Sequence, residues 1–170
     1  MRRLLVALCF ATASAHAADL QRVDFTAWNA ALERYRSQIV VVDMWATWCS
    51  TCLTRFPKMV DMAHRFAPQG VRFVSLCLDD RDDEESLAAA RKFLATQHAP
   101  FDHFLMDERI DVAFDKLQLL GIPVVVIYGR DGAEAVRLTG DNPNDQFDEK
   151  DVEEAIVGLV GAVSKPRISN

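Results

Sequence analysis

The sequence predicts an α/β fold in which helices flank a mixed central β-sheet. Four branched apolar residues in succession at 39–42 open a run to 44 that indicates a strand buried on both faces, as a parallel sheet requires, and the segment 71–78 indicates a second buried strand. Stretches with helical spacing alternate with these runs. A Gly-Arg-Asp-Gly sequence at 129–132, between two further apolar runs, is typical of an antiparallel hairpin.

Composition and charge exclude several classes of protein. Half of the 170 residues are hydrophobic and 26% are charged, which excludes a disordered chain and suffices for one domain with a sizeable core. The formal net charge of −6 disfavours a nucleic-acid partner. No apolar run approaches the ~20 residues that span a bilayer, so we expect no membrane span.

The first 17 residues are predicted to be an export signal that is cleaved after Ala17. Two arginines open this segment, an apolar stretch follows at 4–11, and small residues stand at the predicted cleavage site. An uncleaved anchor is the alternative, but about eight apolar residues are too few to cross a hydrocarbon core of ~30 Å. We therefore expect a single domain over residues 18–170, exported to the periplasm.

The spacing of apolar residues predicts the elements of this domain in order. A helix over 24–35 precedes the buried strand at 39–44, and a helix over 53–66 precedes the strand at 71–78. The acidic run at 79–85 is predicted to be the solvated start of a third helix, because acidic side chains favour that end of the helix dipole. The remaining predictions are a capping box of Asp82 and Glu85, helical residues to 97, a strand at 101–106, a helix at 110–119, hairpin strands at 124–128 and 135–138, and a helix at 152–163.

Cys49 and Cys52 are the residues that point most directly to chemistry. They lie between a predicted strand and a predicted helix, three residues apart, so both thiols share one helix face and can form a disulfide. A disulfide that closes so short a loop adds little stability through chain entropy, which favours a bond that opens and closes. The helix dipole favours the thiolate form at Cys49, so we predict Cys49 as the nucleophile and Cys52 as the resolving thiol.

Metal binding by the same cysteine pair is an open alternative. Structural zinc generally takes four ligands as two close pairs, whereas Cys77, the remaining cysteine of the exported chain, stands alone. A copper carrier could use nearby methionines, although methionines at such spacing usually fill a core. We expect no metal or cofactor, and we predict that Cys77 is a buried free thiol in a core strand.

The segment VVDMWATWCSTC at 41–52, with Pro57 and the downstream Gly121-Ile122-Pro123, resembles the thioredoxin superfamily. The export signal and the helix–strand–helix stretch at 82–119 resemble its TlpA-like branch. This resemblance covers most of residues 18–170. It implies a thioredoxin-like fold with a helix–strand insertion and thiol–disulfide oxidoreductase activity. Peroxidase relatives are set aside, because the chain lacks their Pro-x-x-x-Thr turn before a reactive cysteine.

The resemblance also implies roles for individual residues. Trp48 and Ile122 would contact the substrate beside the disulfide, and Pro123 would carry a cis peptide bond that faces it. The backbone next to Pro123 could then pair with an extended client segment. Pro57 would kink the active-site helix, and Trp45 would pack beneath the active-site loop or simply belong to the core.

Asp43 is the predicted proton acceptor. It stands among apolar residues, six positions before Cys49, and matches the buried acid of thioredoxin. Burial disfavours the charged form of a carboxyl group and raises its pKa, so Asp43 could take and return the proton of Cys52. An aspartate at an exposed strand end is the alternative. Ser75 is expected at the position where thioredoxin has a lysine beside this acid.

The dipeptide Ser50-Thr51 favours a reductase over an oxidase. Neither side chain brings a charge that would stabilise a thiolate, and a weakly stabilised thiolate makes the reduced form a good electron donor. We therefore expect reduction of disulfides in periplasmic client proteins, with regeneration by a membrane dithiol donor. By family analogy, cytochrome c maturation is a candidate pathway. The alternatives are a disulfide-forming oxidase, a copper or zinc carrier, and a binding module whose disulfide does not turn over.

Overall fold

The computed structural model describes residues 19–142 and 146–163. The predicted export signal at 1–17 lies outside the described residues. Within them, the strands are β1 (Leu20–Val23), β2 (Ile39–Trp45), β3 (Val71–Cys77), β4 (Asp102–Met106), β5 (Val124–Tyr128) and β6 (Glu134–Thr139). The helices are α1 (Phe25–Glu33), α2 (Ser50–Phe66), α3 (Glu84–Gln97), α4 (Ile110–Leu117) and α5 (Glu149–Val163).

The six strands form one mixed sheet in the order β1-β4-β3-β2-β5-β6. The first four strands in this order run parallel, and β5 and β6 add antiparallel pairs. All seven residues of β2 are buried, as expected for a strand with partners on both sides and helices on both faces. The carboxyl ends of β2 and β3 therefore meet at one edge of the sheet.

Side chains of β2 alternate between two hydrophobic cores. Val41 and Trp45 point toward α2, whereas Val42 and Met44 point toward the core that includes α1 and α4. This alternation places Asp43 on the α2 face of the sheet. The residue that interrupts the apolar run of β2 is therefore buried under the helix that carries the cysteines.

The predicted α/β architecture is confirmed, including the hairpin and the helix–strand segment formed by α3 and β4. The strand β1 was not predicted, because it has four residues with only its ends buried, and its pairing with β4 defines it. The helix α2 begins at Ser50 rather than at Leu53. Among the described residues, no helix is both long and apolar enough to cross a membrane.

Two predictions about the acidic run were wrong. The N-cap of α3 is Asp83 rather than Asp82, and its carboxylate accepts hydrogen bonds from the backbone N–H groups of Glu85 and Ser86. Asp82 instead belongs to the preceding turn, where its N–H donates to the side chain of Asp80. Asp79 is not solvated, because only 2% of its surface is exposed.

Candidate active site

Cys49 and Cys52 are joined by a disulfide at the amino end of α2, with their Cα atoms 5.3 Å apart. Cys49 is the N-cap of the helix, and its Sγ accepts a hydrogen bond of 3.2 Å from the backbone N–H of Cys52. Cys49 is 7% exposed, whereas Cys52 is fully buried. The sulfur that can be attacked from solvent is therefore that of Cys49, which also lies at the positive end of the helix dipole.

The two tryptophans before the disulfide lie in opposite environments. Trp45 is fully buried, and the centroid of its ring lies 5.5 Å from that of Phe56 and 5.3 Å from that of Phe93. Trp48, immediately before Cys49, is 55% exposed. A buried aromatic side chain therefore lies at the base of the loop, and a large apolar side chain beside Cys49 faces solvent.

Asp79 stabilises the loop that leads to the disulfide, and the sequence analysis missed this role. Its Oδ1 accepts hydrogen bonds from the backbone N–H and the hydroxyl of Thr47, at 3.0 and 2.7 Å. In the sheet, Trp45 pairs with Cys77, so Thr47 and Asp79 each follow their strand by two residues at the same edge. The apolar run that ends directly before Asp79 was the available signal, because it places this carboxylate at the carboxyl end of a buried strand.

Cys77 is a buried free thiol, as predicted. Its Sγ donates a hydrogen bond of 3.1 Å to Oδ2 of Asp79. Burial and the neighbouring Asp79 charge raise the pKa of the Cys77 thiol well above its ordinary value. Cys77 is therefore protonated at neutral pH and unsuited to thiol exchange.

Pro123 lies at the same end of the sheet as the disulfide. The Ile122–Pro123 peptide bond is cis, as the resemblance implies. Val124 pairs with Met44, which places Pro123 level with the end of β2. Gly140 donates a backbone hydrogen bond of 2.9 Å to the carbonyl of Pro123, and a Cβ at Gly140 would approach the proline ring to 2.9 Å.

Asp43 is buried, with 1% of its surface exposed, so the exposed-strand-end alternative is wrong. Its Oδ1 accepts a hydrogen bond of 2.6 Å from Nη2 of Arg55, a residue of α2 that is itself 6% exposed. Burial raises the pKa of Asp43, and the Arg55 charge opposes that rise. Ser75 is the register partner of Asp43 on β3, as expected, and its hydroxyl lies 2.8 Å from Nδ1 of His103.

The sequence-predicted residues therefore gather around one end of the sheet. Asp43 lies under α2, the disulfide caps that helix, and Pro123 with the half-buried Ile122 precedes the neighbouring strand β5. Pro57 lies within α2. No group of three or more metal-ligating side chains occurs in the part of the chain that the structure describes.

Comparisons with known proteins agree with this architecture. A family model described as the AhpC/TSA family matches residues 13–133. A thiol:disulfide interchange protein DsbE of Haemophilus influenzae is 29% identical over 102 residues, which are 60% of this chain and 51% of that protein. The chain thus spans about half the length of this curated relative.

Solved structures show the same fold. A Chlorobium tepidum structure, whose name describes a thiol:disulfide interchange protein DsbE, is 25% identical; the alignment covers 76% of this chain and 85% of that one, with a TM-score of 0.59. A thiol-disulfide isomerase of Corynebacterium glutamicum is 18% identical, with coverages of 75% and 84% and a TM-score of 0.61. At that identity the second likeness shows the fold alone.

Proposed function

The chain belongs to the AhpC/TSA family of thioredoxin-like proteins, and we propose that it is an exported thiol–disulfide oxidoreductase that reduces disulfides of periplasmic client proteins. The observation that carries this proposal is the asymmetry of the cysteine pair. Cys49 caps a helix and keeps 7% of its surface exposed, whereas Cys52, one turn along, is fully buried. The sulfur of Cys49 can react with a client disulfide, and the thiol of Cys52 can then resolve the mixed disulfide.

The reaction begins at Cys49. Its thiolate attacks a client disulfide, so that a Cys49–client bond forms, the client disulfide breaks, and one client sulfur leaves as a thiolate. Cys52 then gives its proton to Asp43 and attacks Cys49. The Cys49–client bond breaks, the second client sulfur leaves and takes up a proton, and two electrons have moved to the client. The disulfide seen in the structure is the product state of this cycle.

The surroundings of the disulfide support a reductase. Ser50 and Thr51 carry no charge, and the nearby cation of Arg55 is paired with Asp43 rather than with a cysteine. The thiolate is therefore stabilised mainly by the helix terminus, which leaves the disulfide form comparatively stable. A dithiol donor in the membrane would return electrons to the protein. Cytochrome c maturation is a candidate pathway by analogy with the DsbE-named relatives.

The client would dock on the exposed apolar residues at this end of the sheet. Trp48 is 55% exposed and Leu120, three residues before Pro123, is 89% exposed. Ile122 lies between Leu120 and the cis proline, so an extended client segment that passes Pro123 would meet apolar contacts on both sides. The proposed substrate-binding residues are thus Trp48 and Ile122, with Pro123 aligning the client sulfur.

Trapping the mixed disulfide tests this function. Replacing Cys52 by serine blocks resolution, so client proteins should remain bonded to Cys49 and be identifiable by mass spectrometry after non-reducing purification. The control is the Cys49→Ser, Cys52→Ser variant, which should trap nothing. Equal trapping by both variants, or alkylation of Cys49 no faster than that of an unstructured peptide, would overturn the proposal.

Two further measurements separate the alternatives. A reductase should have a redox potential closer to about −270 mV than to about −120 mV, and a value near the latter would indicate an oxidase. Stoichiometric copper or zinc that blocks both thiols after anaerobic purification would indicate a metal carrier. Unchanged biological activity of Cys49→Ser would indicate a binding module.

A further inference from the structure

The two carboxylate oxygens of Asp43 differ in their hydrogen bonding. Its Oδ1 accepts from Arg55 at 2.6 Å, whereas its buried Oδ2 has no hydrogen-bond partner among the described residues. Buried polar atoms are ordinarily paired, so an open carboxylate oxygen calls for a functional explanation. A lone pair without a donor is the position at which a carboxylate can accept a proton.

Arg55 is held in place from two sides. It lies three residues after Cys52 on α2, so the two side chains share the helix face that covers β2. One Nη donates to Asp43, and the guanidinium carbon lies 4.7 Å from the ring centre of Phe147. Because the contact to Asp43 uses Nη2 alone, the guanidinium does not engage both carboxylate oxygens.

We propose that Arg55 is a positioning residue for the resolving step: it holds Oδ1 of Asp43 and leaves Oδ2 free to take the proton of Cys52. This inference rests on the proposed function. When Cys52 attacks Cys49, its S–H bond breaks, the proton goes to Oδ2, and the sulfur electron pair forms the new disulfide bond. The client sulfur leaves with the electron pair of the Cys49–client bond.

Arg55 is the charged residue that affects the pKa of Asp43. From β3 the register partner is the neutral Ser75, which is bonded in turn to His103 of β4, and from β5 it is Val125. Burial lowers the pKa of His103 to about 4, so this imidazole is neutral at neutral pH. The helix α5 buries the apolar Val152 and Ile156. Burial raises the pKa of Asp43 and so disfavours the charged form that accepts a proton, and the Arg55 cation opposes that rise.

Arg55 also separates Asp43 from solvent. It lines a surface cleft of about 380 Å³ beside Ser50, Thr51 and Phe147. A small replacement would connect this cleft with Asp43 and admit water. Methionine has a similar length and no charge, so Arg55→Met removes the cation and keeps most of the volume.

The test follows the resolving step by itself. The reduced protein is mixed with dithiobis(nitrobenzoate), whose released thiolate absorbs visible light. A first release, with a rate that depends on reagent concentration, reports attack by Cys49. A second release, independent of that concentration, reports displacement by Cys52. Both rates are measured by stopped flow across the pH range of native stability.

Arg55→Met should slow the second release by about tenfold or more at neutral pH and move its pH profile upward by about one pH unit or more. The first release should be unchanged. Arg55→Lys keeps a cation and should restore most of the rate. Arg65→Met is the matched control, since Arg65 lies on the same helix but pairs at the surface with Glu153, and it should leave both releases unchanged.

A double-variant comparison tests whether Arg55 acts through Asp43. Asp43→Asn should slow the second release, and adding Arg55→Met should slow it no further. This pair removes both charges together, so it remains usable if the single Arg55→Met variant does not fold because Asp43 is left buried and unpaired.

Three results would overturn the inference: a second release in a folded Arg55→Met protein that matches the wild type, an equal effect of Arg65→Met, or further slowing of Asp43→Asn by Arg55→Met. Failure of the proposed function gives a different signature. In that case the wild-type protein itself shows no second, concentration-independent release.

Discussion

Replacing Asp79 by asparagine tests the support of the active-site loop. The two oxygens of Asp79 accept from the N–H and hydroxyl of Thr47 and from the thiol of Cys77. Asparagine keeps one oxygen but turns the other into an NH₂ donor, which must then face one of these donors. At least one hydrogen bond to a charged group is lost, and each such bond contributes about 1.5–3 kcal/mol.

We therefore expect Asp79→Asn to lower the free energy of unfolding by about 2 kcal/mol, which is a fall in Tm of about 4–8 °C for a chain of this size. Urea unfolding of the oxidised protein, followed by circular dichroism, measures the loss. Hydrogen exchange of the Thr47 amide should accelerate with it. The matched control is Asp82→Asn in the same acidic run, where the side chain is 80% exposed and no loss is expected. A change below about 0.5 kcal/mol for Asp79→Asn would refute the reasoning.

Three further predictions concern the packing around the site. The pKa of His103 is lowered by burial from 6.5 to about 4, so the unfolded chain binds a proton that the folded protein does not. Stability should fall by about 3 kcal/mol as the pH drops from 6.5 to 4, and His103→Gln should remove this slope in urea titrations. Gly140→Ala should cost about 1–3 kcal/mol in urea unfolding, because its Cβ meets the ring of Pro123 at 2.9 Å. The helical control Gly158→Ala, where a Cβ meets no atom within 4 Å, should instead gain about 0.5–1 kcal/mol. In the folded, reduced protein iodoacetamide should modify Cys49 but not the buried Cys77, and modification of Cys77 only in denaturant would confirm this by mass spectrometry.

The sequence could predict the elements whose signal is local. The buried strands β2 and β3 are predicted from their apolar residues alone. The spacing of the two cysteines likewise predicts a shared helix face without any tertiary information. The cis bond at Pro123 came from the resemblance, since nothing in its immediate neighbours requires it. The strand β1 could not be found in this way, because its four residues become a strand only through their register with β4.

The residues that the sequence analysis missed are polar side chains buried by distant partners. Arg55 has the spacing of a helix residue that could face solvent, and its burial depends on Asp43 and on Phe147, which lies far along the chain. Asp79 stands at the head of an acidic run whose other members are mostly solvated. Its burial depends on donors from Thr47, which is supplied by a neighbouring strand end.

The two buried acids near the disulfide differ in the number of donors that each already holds. Asp79 accepts from Thr47 and Cys77 through both oxygens, so a proton that arrived there would have to displace an existing donor. At Asp43 a proton would meet Oδ2, which has no hydrogen-bond partner within the described part of the chain, while Oδ1 stays bonded to Arg55. Burial alone therefore does not identify the proton acceptor, since both acids are almost fully buried. The proposed role of Asp43 as proton acceptor is therefore supported by its open oxygen, whereas the fully used oxygens of Asp79 are consistent with support of the loop.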